Sequence, residues 1–157
     1  MKKIQILCVG DLKEEYLKKA QDEYLKRLKI SCSVEITVVQ EQSSSEKLNS
    51  KEIEIKKDKE ADLLLSKIKG YPISLCINAK QYDSLEFASN LEAKFFDNDC
   101  VTFIIGGSDG LSEKITEKSK QKISFSRLTF PHQLMRIILL EQIYRSSTIW
   151  MNKTYHK

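Results

Sequence analysis

The chain has 157 residues, 41% hydrophobic and 31% charged, with a net charge of +4 at neutral pH. That length suits one domain, residues 1–157, whose core needs no staple, and no stretch approaches the roughly 18 consecutive apolar residues of a membrane span. Cys8, Cys32, Cys76 and Cys100 form no CxxC pair, and His132 and His156 have no cysteine or second histidine at ligand spacing, so neither a disulfide frame nor a metal site is expected. The opening MKKIQILCVG runs straight into a strand-like segment rather than a signal-peptide plan, which leads us to expect a cytoplasmic protein.

Residues 4–9 (IQILCV) and 34–39 (VEITVV) read as short β-branched strands. Between them Leu12, Tyr16, Ala20, Tyr24 and Leu28 recur at i+4 and predict one apolar helical stripe, hence a β-α-β start. A polar stretch with Ser43, Ser44 and Ser45 reads as a loop. A highly charged helix follows over about 51–69, with its apolar content in Ile53, Ile55 and Leu63 to Leu65. After Gly70-Tyr71-Pro72 a third strand is predicted at 73–77. Asp83 with Glu86 three residues on reads as a capping box opening a helix from Ser84 to about Phe96.

The fourth strand, residues 100–105, stops on Gly106 and Gly107. A short helix at 112–119 and a short strand at 123–125 lead to SRLTFPH, residues 126–132. Strands alternating with helices predict an α/β fold with a mostly parallel sheet covered on both faces. The last helix, 133–145, carries Leu134, Met135, Ile137, Ile138, Leu139, Leu140 and Ile143 around nearly its whole circumference, which calls for burial on a second side by another copy of the chain. Glu141 and Arg145 stand at i, i+4 in the order that favours an intrahelical ion pair.

Charge is uneven. Residues 111–157 carry nine Lys/Arg against three acids, a net of +6, so the preceding 110 residues sum to −2. A basic final third suits an anionic partner such as RNA, and equally a solvated lysine face.

Three of the chain's five glycines fall in GGSDG, residues 106–110, between the fourth strand and a helix. Neither GxGxxG after the first strand nor GK[ST] is present. The turn lies where open parallel sheets hold ligands, and its backbone amides suit an uncharged or zwitterionic cofactor.

IGGSDGLS, SFSRLTFPHQLMR, LLEQIYR and the terminal YHK occur in that order after the opening KIQILCVG. In these motifs the chain resembles, over its whole length, the RlmH family of SPOUT methyltransferases. The resemblance implies a C-terminal trefoil knot that forms the cofactor pocket, a homodimer packed across it, and transfer of a methyl group from S-adenosylmethionine to N3 of a pseudouridine in large-subunit ribosomal RNA. Leu75, Gly107 and the run Ser126, Arg127, Leu128, Thr129, Phe130 and Pro131 would enclose the cofactor. Gly107→Val is then expected to abolish cofactor binding. With no separate RNA-binding module, recognition would rest on the dimer surface and on an assembled ribosome.

Methyl transfer from a sulfonium depends mainly on alignment, but the imide proton at N3 must leave. His132, Tyr155 and His156 are the candidate proton acceptors near the pocket mouth, and Arg145 and Lys157 would steady developing negative charge. The YHK tail is expected to serve catalysis or docking and to contribute little to the fold. A SPOUT enzyme acting on transfer RNA and a non-enzymatic ribosome-associated protein remain as alternatives.

Overall fold

Strand β1 (Lys2–Val9) lies inside a five-stranded sheet, with β2 (Cys32–Val39) on one side and β4 (Cys100–Ile105) on the other. Strand β3 (Tyr71–Gln81) follows β4 and β5 (Gln121–Ser124) closes the edge, giving the order β2-β1-β4-β3-β5 with every pairing parallel. The computed structural model describes residues 1–42 and 47–157, so the expected serine loop lies outside the described residues.

Both faces of the sheet are covered, which explains why β1 is buried without interruption from Ile4 to Val9. Ile4, Ile6 and Cys8 join one core with Phe87, Phe103, Leu140 and Ile143, beneath α1 (Glu15–Leu28), α3 (Ser84–Lys94) and α5 (His132–Trp150). Leu7 and Val9 point the other way, into a second core with Val39, Ala61, Leu64, Ile104 and Ile115 beneath α2 (Ser50–Leu65) and α4 (Glu113–Lys118). Gln5 is buried among these residues without loss, because its amide donates to Thr37 Oγ1 (3.1 Å) and the Lys67 carbonyl (3.0 Å) and accepts from Thr102 Oγ1 (2.8 Å).

Four elements differ from the sequence reading. Helix α1 starts at Glu15, so Leu12 is buried ahead of it, and the inner stripe is Leu17, Ala20, Tyr24 and Leu28. Tyr16 is 68% exposed, because a strict i+4 row drifts around a helix and its early members leave the core. Helix α2 ends at Leu65, with Ile55 and Leu63 exposed; the buried positions are Glu60, Ala61 and Leu64. Strand β3 runs on to Gln81 through polar residues, because it shifts register between Leu75 and Lys80 and then pairs again with β5. Helix α5 runs on past Arg145 to Trp150: Ser146, Ser147 and Thr148 are buried, their hydroxyls donating to the carbonyls of Gln142, Tyr144 and Arg145.

The capping box at the start of α3 is present, Asp83 Oδ1 accepting from the Glu86 N–H at 2.8 Å and Glu86 Oε2 from the Asp83 N–H at 2.9 Å. A second box, Asn49 with Glu52, opens α2. Among the described residues no helix is long and apolar enough to cross a membrane, and no group of three or more His, Cys, Asp or Glu could hold a metal ion. The four cysteines are free thiols, Cys8 and Cys32 fully buried and Cys76 and Cys100 partly so.

Candidate active site

The carboxyl ends of β3 and β4 and the β5–α5 connection surround a cleft. Its walls are Leu75, Cys76 and Ile77 from β3, Gly106, Gly107 and Gly110 from the glycine turn, Ser126, Leu128, Thr129 and Phe130 from the connection, and His132 and Met135 from α5. Three features suit a nucleoside-bearing ligand. Apolar side chains supply a surface for a flat ring. The register shift leaves residues 76–79 without a residue partner in the ladders with β4 and β5, so a ligand beside them would meet backbone outside the regular pairing. The third is a turn without side chains on the cleft side.

The glycine turn is built from close backbone contacts. Gly107 and Gly110 form an antiparallel bridge in which the Gly110 N–H donates to the Gly107 carbonyl at 3.1 Å. Gly110 sits at φ +81°, the left-handed region that favours glycine, while a Cβ on Gly106 would lie 2.5 Å from the carbonyl carbon of Gly110. A Cβ on Gly107 would point toward Val9 (3.2 Å) and Glu41 (3.4 Å), behind the turn. A valine there presses on those two side chains, so the effect expected from the sequence has a different route.

Of the residues expected around the cofactor, Leu75, Gly107, Ser126, Leu128, Thr129 and Phe130 line the cleft. Leu75 lies within β3 and pairs with Ile123. Arg127 instead lines a shallow surface with Asn78 and Gln81, and Pro131 faces Leu17 and Leu134.

His132 is the only member of the expected catalytic set at the cleft. The first turn of α5 is tied to the β1–α1 turn, Arg136 Nη2 donating to the Gly10 carbonyl (2.6 Å) and Gln133 Oε1 accepting from the Lys13 N–H (2.8 Å). This brings His132 Nε2 within 3.9 Å of the place a Gly10 Cβ would occupy, with Glu41 Oε2 3.4 Å from the same place. Burial pulls the His132 imidazole below its ordinary pKa, against the upward pull of Glu41 and with the help of Arg136, Lys13 and Lys56. A neutral imidazole at physiological pH is the form that accepts a proton. The same shift has a stability consequence: the unfolded chain takes up this proton first as pH falls, so the loss builds below the unfolded value and levels off below the folded one. Thermal melts of His132→Gln are expected to show a flatter decline than the parent between about pH 7 and pH 5.

Arg145, Tyr155, His156 and Lys157 are elsewhere. Arg145 Nη2 donates to Glu141 Oε1 at 2.6 Å, Tyr155 donates to the same oxygen at 3.1 Å, and the Tyr155 ring packs edge-on to Tyr144 with centroids 4.9 Å apart. Arg145 lies over that ring and approaches His156 Nδ1 at 3.4 Å. Thirteen residues of helix separate His132 from Arg145, about 20 Å of axis at 1.5 Å per residue, so within one chain the tail does not meet the cleft. The tail is also packed, with Tyr155 and His156 half-buried, contrary to the expectation that it adds little to the fold. Burial and the adjacent Glu141 raise the Tyr155 pKa, which keeps the phenol protonated and makes it a donor.

The sequence reading did not single out Glu41, Lys56 or Arg136. Nothing local marks them; Lys56 sits in a 16-residue helix of which nine residues are charged.

The family model described as "Predicted SPOUT methyltransferase" matches residues 1–156. The chain belongs to the SPOUT methyltransferase family. Full-length relatives carry the name ribosomal RNA large subunit methyltransferase H. One from Clostridioides difficile is 46% identical over 98% of this chain and 99% of its own length, and one from Enterococcus faecalis is 45% identical over 99% of each. Two solved structures share this chain's fold at low identity. A Haemophilus influenzae protein assigned to a methylase family gives a TM-score of 0.59 at 10% identity, over 98% of this chain and 70% of that one. A Legionella pneumophila protein assigned as a methyltransferase, solved with the cofactor SAM bound, gives 0.52 at 13% identity, over 92% of this chain and 66% of that one.

Proposed function

We propose that this SPOUT methyltransferase transfers the methyl group of S-adenosylmethionine to N3 of a pseudouridine in large-subunit ribosomal RNA, acting as a cytoplasmic homodimer on the assembled ribosome. The observation that carries the reading is the full-length match to relatives bearing the large-subunit methyltransferase name, 46% identical in the first of them. The cleft residues fit the cofactor. The glycine turn, the backbone of residues 76–79 and the apolar walls of Leu75, Leu128 and Phe130 would hold it, with Arg127 and Pro131 backing the connection from outside. The cofactor supplies an electrophilic methyl group. Of the three candidate proton acceptors, His132 is the one that lines the cleft, which supports giving it the N3 proton as the nitrogen attacks.

Two observations favour a homodimer. Leu128 is 70% exposed and Leu134 and Tyr16 are also exposed, a band of apolar surface beside the cleft. The remaining members of the expected catalytic set, Arg145, Tyr155, His156 and Lys157, are separated from the cleft in their own chain, so one active site would combine the cleft of one subunit with the tail of the other. The implied knot is part of the same reading. It is supported by the path of the chain, which leaves β4, pairs β5 outside β3 and returns α5 across the sheet to α1.

The deciding experiment is calorimetry with S-adenosylhomocysteine, followed by methyl transfer to ribosomes and to bulk transfer RNA. Micromolar binding and methylation of ribosomes alone are expected. Methylation of transfer RNA would redirect the reading to another SPOUT substrate, and no binding would leave a ribosome-associated protein without this activity.

A further inference from the structure

The tip of the glycine turn is held from behind by helix α2. Ser108 and Asp109 take no part in the cleft wall, and their side chains point to the other side of the turn. Asp109 Oδ2 accepts from Lys56 Nζ at 2.9 Å, and Ser108 Oγ donates to Glu41 Oε1 at 3.1 Å. Lys56 also reaches Glu41 Oε1 at 3.7 Å, so one ammonium bridges both attachments. Just beyond the turn, Ser112, the residue that caps α4, donates to Asp58 Oδ1 at 2.5 Å, again on α2. Glu60, one turn after Lys56, accepts the Gln42 N–H at 3.1 Å and so fixes the segment that carries Glu41.

We infer that Lys56 is a positioning residue for cofactor binding, holding the glycine turn in the shape that forms one wall of the cleft. The inference rests on the cofactor reading of that cleft. Among the described residues Lys56 is the sole cation within 4 Å of either Glu41 or Asp109, and its side chain is only 13% exposed. Three acids, Glu41, Asp109 and Glu60, surround it. Burial works against the ammonium, but the Asp109 hydrogen bond and the three carboxylates outweigh it and raise the Lys56 pKa. Without Lys56 those carboxylates would face one another uncompensated across a partly buried site, and repulsion would push the turn off its support. The backbone of Gly106, Gly107 and Gly110 would move with it, on the side that faces the ligand.

The test compares Lys56→Met, Lys56→Arg and Asp109→Asn in the full chain. Hydrogen exchange of the ligand-free proteins is expected to speed up at the amides of residues 107–111 in Lys56→Met and Asp109→Asn, while amides in β1 and α5 are unchanged. S-adenosylhomocysteine binding is expected to weaken about ten-fold in Lys56→Met, the size of one charge-assisted hydrogen bond, and to recover in Lys56→Arg. In steady-state assays the loss should appear in KM for the cofactor, with kcat within about two-fold of the parent. Unchanged exchange at 107–111 in both Lys56→Met and Asp109→Asn would overturn the inference whether or not any ligand binds. Binding within two-fold of the parent in both variants would overturn it too. A parent chain that fails to bind S-adenosylhomocysteine is a separate outcome and counts against the function proposed above.

Discussion

Deleting residues 155–157 is expected to lower methyl transfer to ribosomes by about a thousand-fold, within the range for lost donors to developing negative charge, while S-adenosylhomocysteine affinity stays close to that of the full chain. The cleft is built from β3, β4, the connection and the first turn of α5, and none of the deleted residues touches it. The deletion is not silent for stability. It removes the edge-on Tyr144–Tyr155 contact and the Tyr155 bond to Glu141, which together contribute about 1 to 2 kcal/mol at a half-buried site, so the melting temperature should fall by several degrees. Helix α5 itself remains, because its core positions Ile137, Leu140 and Ile143 are untouched. A mixing experiment then tests whether tail and cleft work across two subunits. A truncated chain paired with a full-length chain whose cleft is disabled has one intact cleft and one intact tail, on different chains. Restored activity is expected in the mixture, although neither parent is active. Full activity in the truncated protein alone would sink the role of the tail, and failure of the mixture with both homodimers well folded would sink the composite site.

The sequence makes the sheet easy to read because each strand is a short apolar run between turn residues, and β4 in particular ends where the glycines begin. Element ends were harder wherever polar residues are satisfied by something the local pattern does not contain. Ser146, Ser147 and Thr148 read as the end of a helix, yet they are buried in its continuation by bonding back to its own carbonyls. The third strand reads as ending at residue 77, yet Lys80 and Gln81 pair with β5 after the register shift. The cleft was legible through motif resemblance rather than periodicity. What stayed hidden is the set of contacts behind the glycine turn. Glu41, Lys56 and Asp109 are dispersed along the chain and become neighbours only when α2 packs beside the carboxyl ends of β1 and β4. Arg136 was hidden for another reason. It sits in an otherwise apolar run yet is only 2% exposed, held there by its bond to the Gly10 carbonyl.

The glycines of the turn should respond to alanine in the order Gly106, then Gly110, then Gly107, and the first is expected to lose about a hundred-fold in S-adenosylhomocysteine affinity, the scale of an ångström's misplacement in a positioned site. A Cβ on Gly106 would sit 2.5 Å from the carbonyl carbon of Gly110, 2.6 Å from its oxygen and 2.9 Å from the nitrogen of Leu111. All three are backbone atoms, so no side chain can swing aside and the turn itself must open. Opening it breaks the Gly110 to Gly107 hydrogen bond and displaces three of the residues that line the cleft. Gly110 is limited by conformation instead of space: among the described residues no atom lies within 4 Å of its added Cβ, but φ is +81°, which costs a side-chain-bearing residue about 1 to 2 kcal/mol. That strain falls mostly on stability, with a smaller effect on affinity. Gly107 has neither restriction in full, since its Cβ meets the Val9 side chain at 3.2 Å and Glu41 at 3.4 Å, and both can give by a few tenths of an ångström. Gly107→Ala should therefore bind the ligand within a few-fold of the parent, and the larger Gly107→Val should act by pushing Glu41 away from Ser108. Calorimetry on the three alanine variants, with circular dichroism to confirm folding, decides the matter. An order that puts Gly107 first would mean that its Cβ position, not the backbone packing of Gly106, is what the ligand meets, and the geometry assigned to the turn would be wrong.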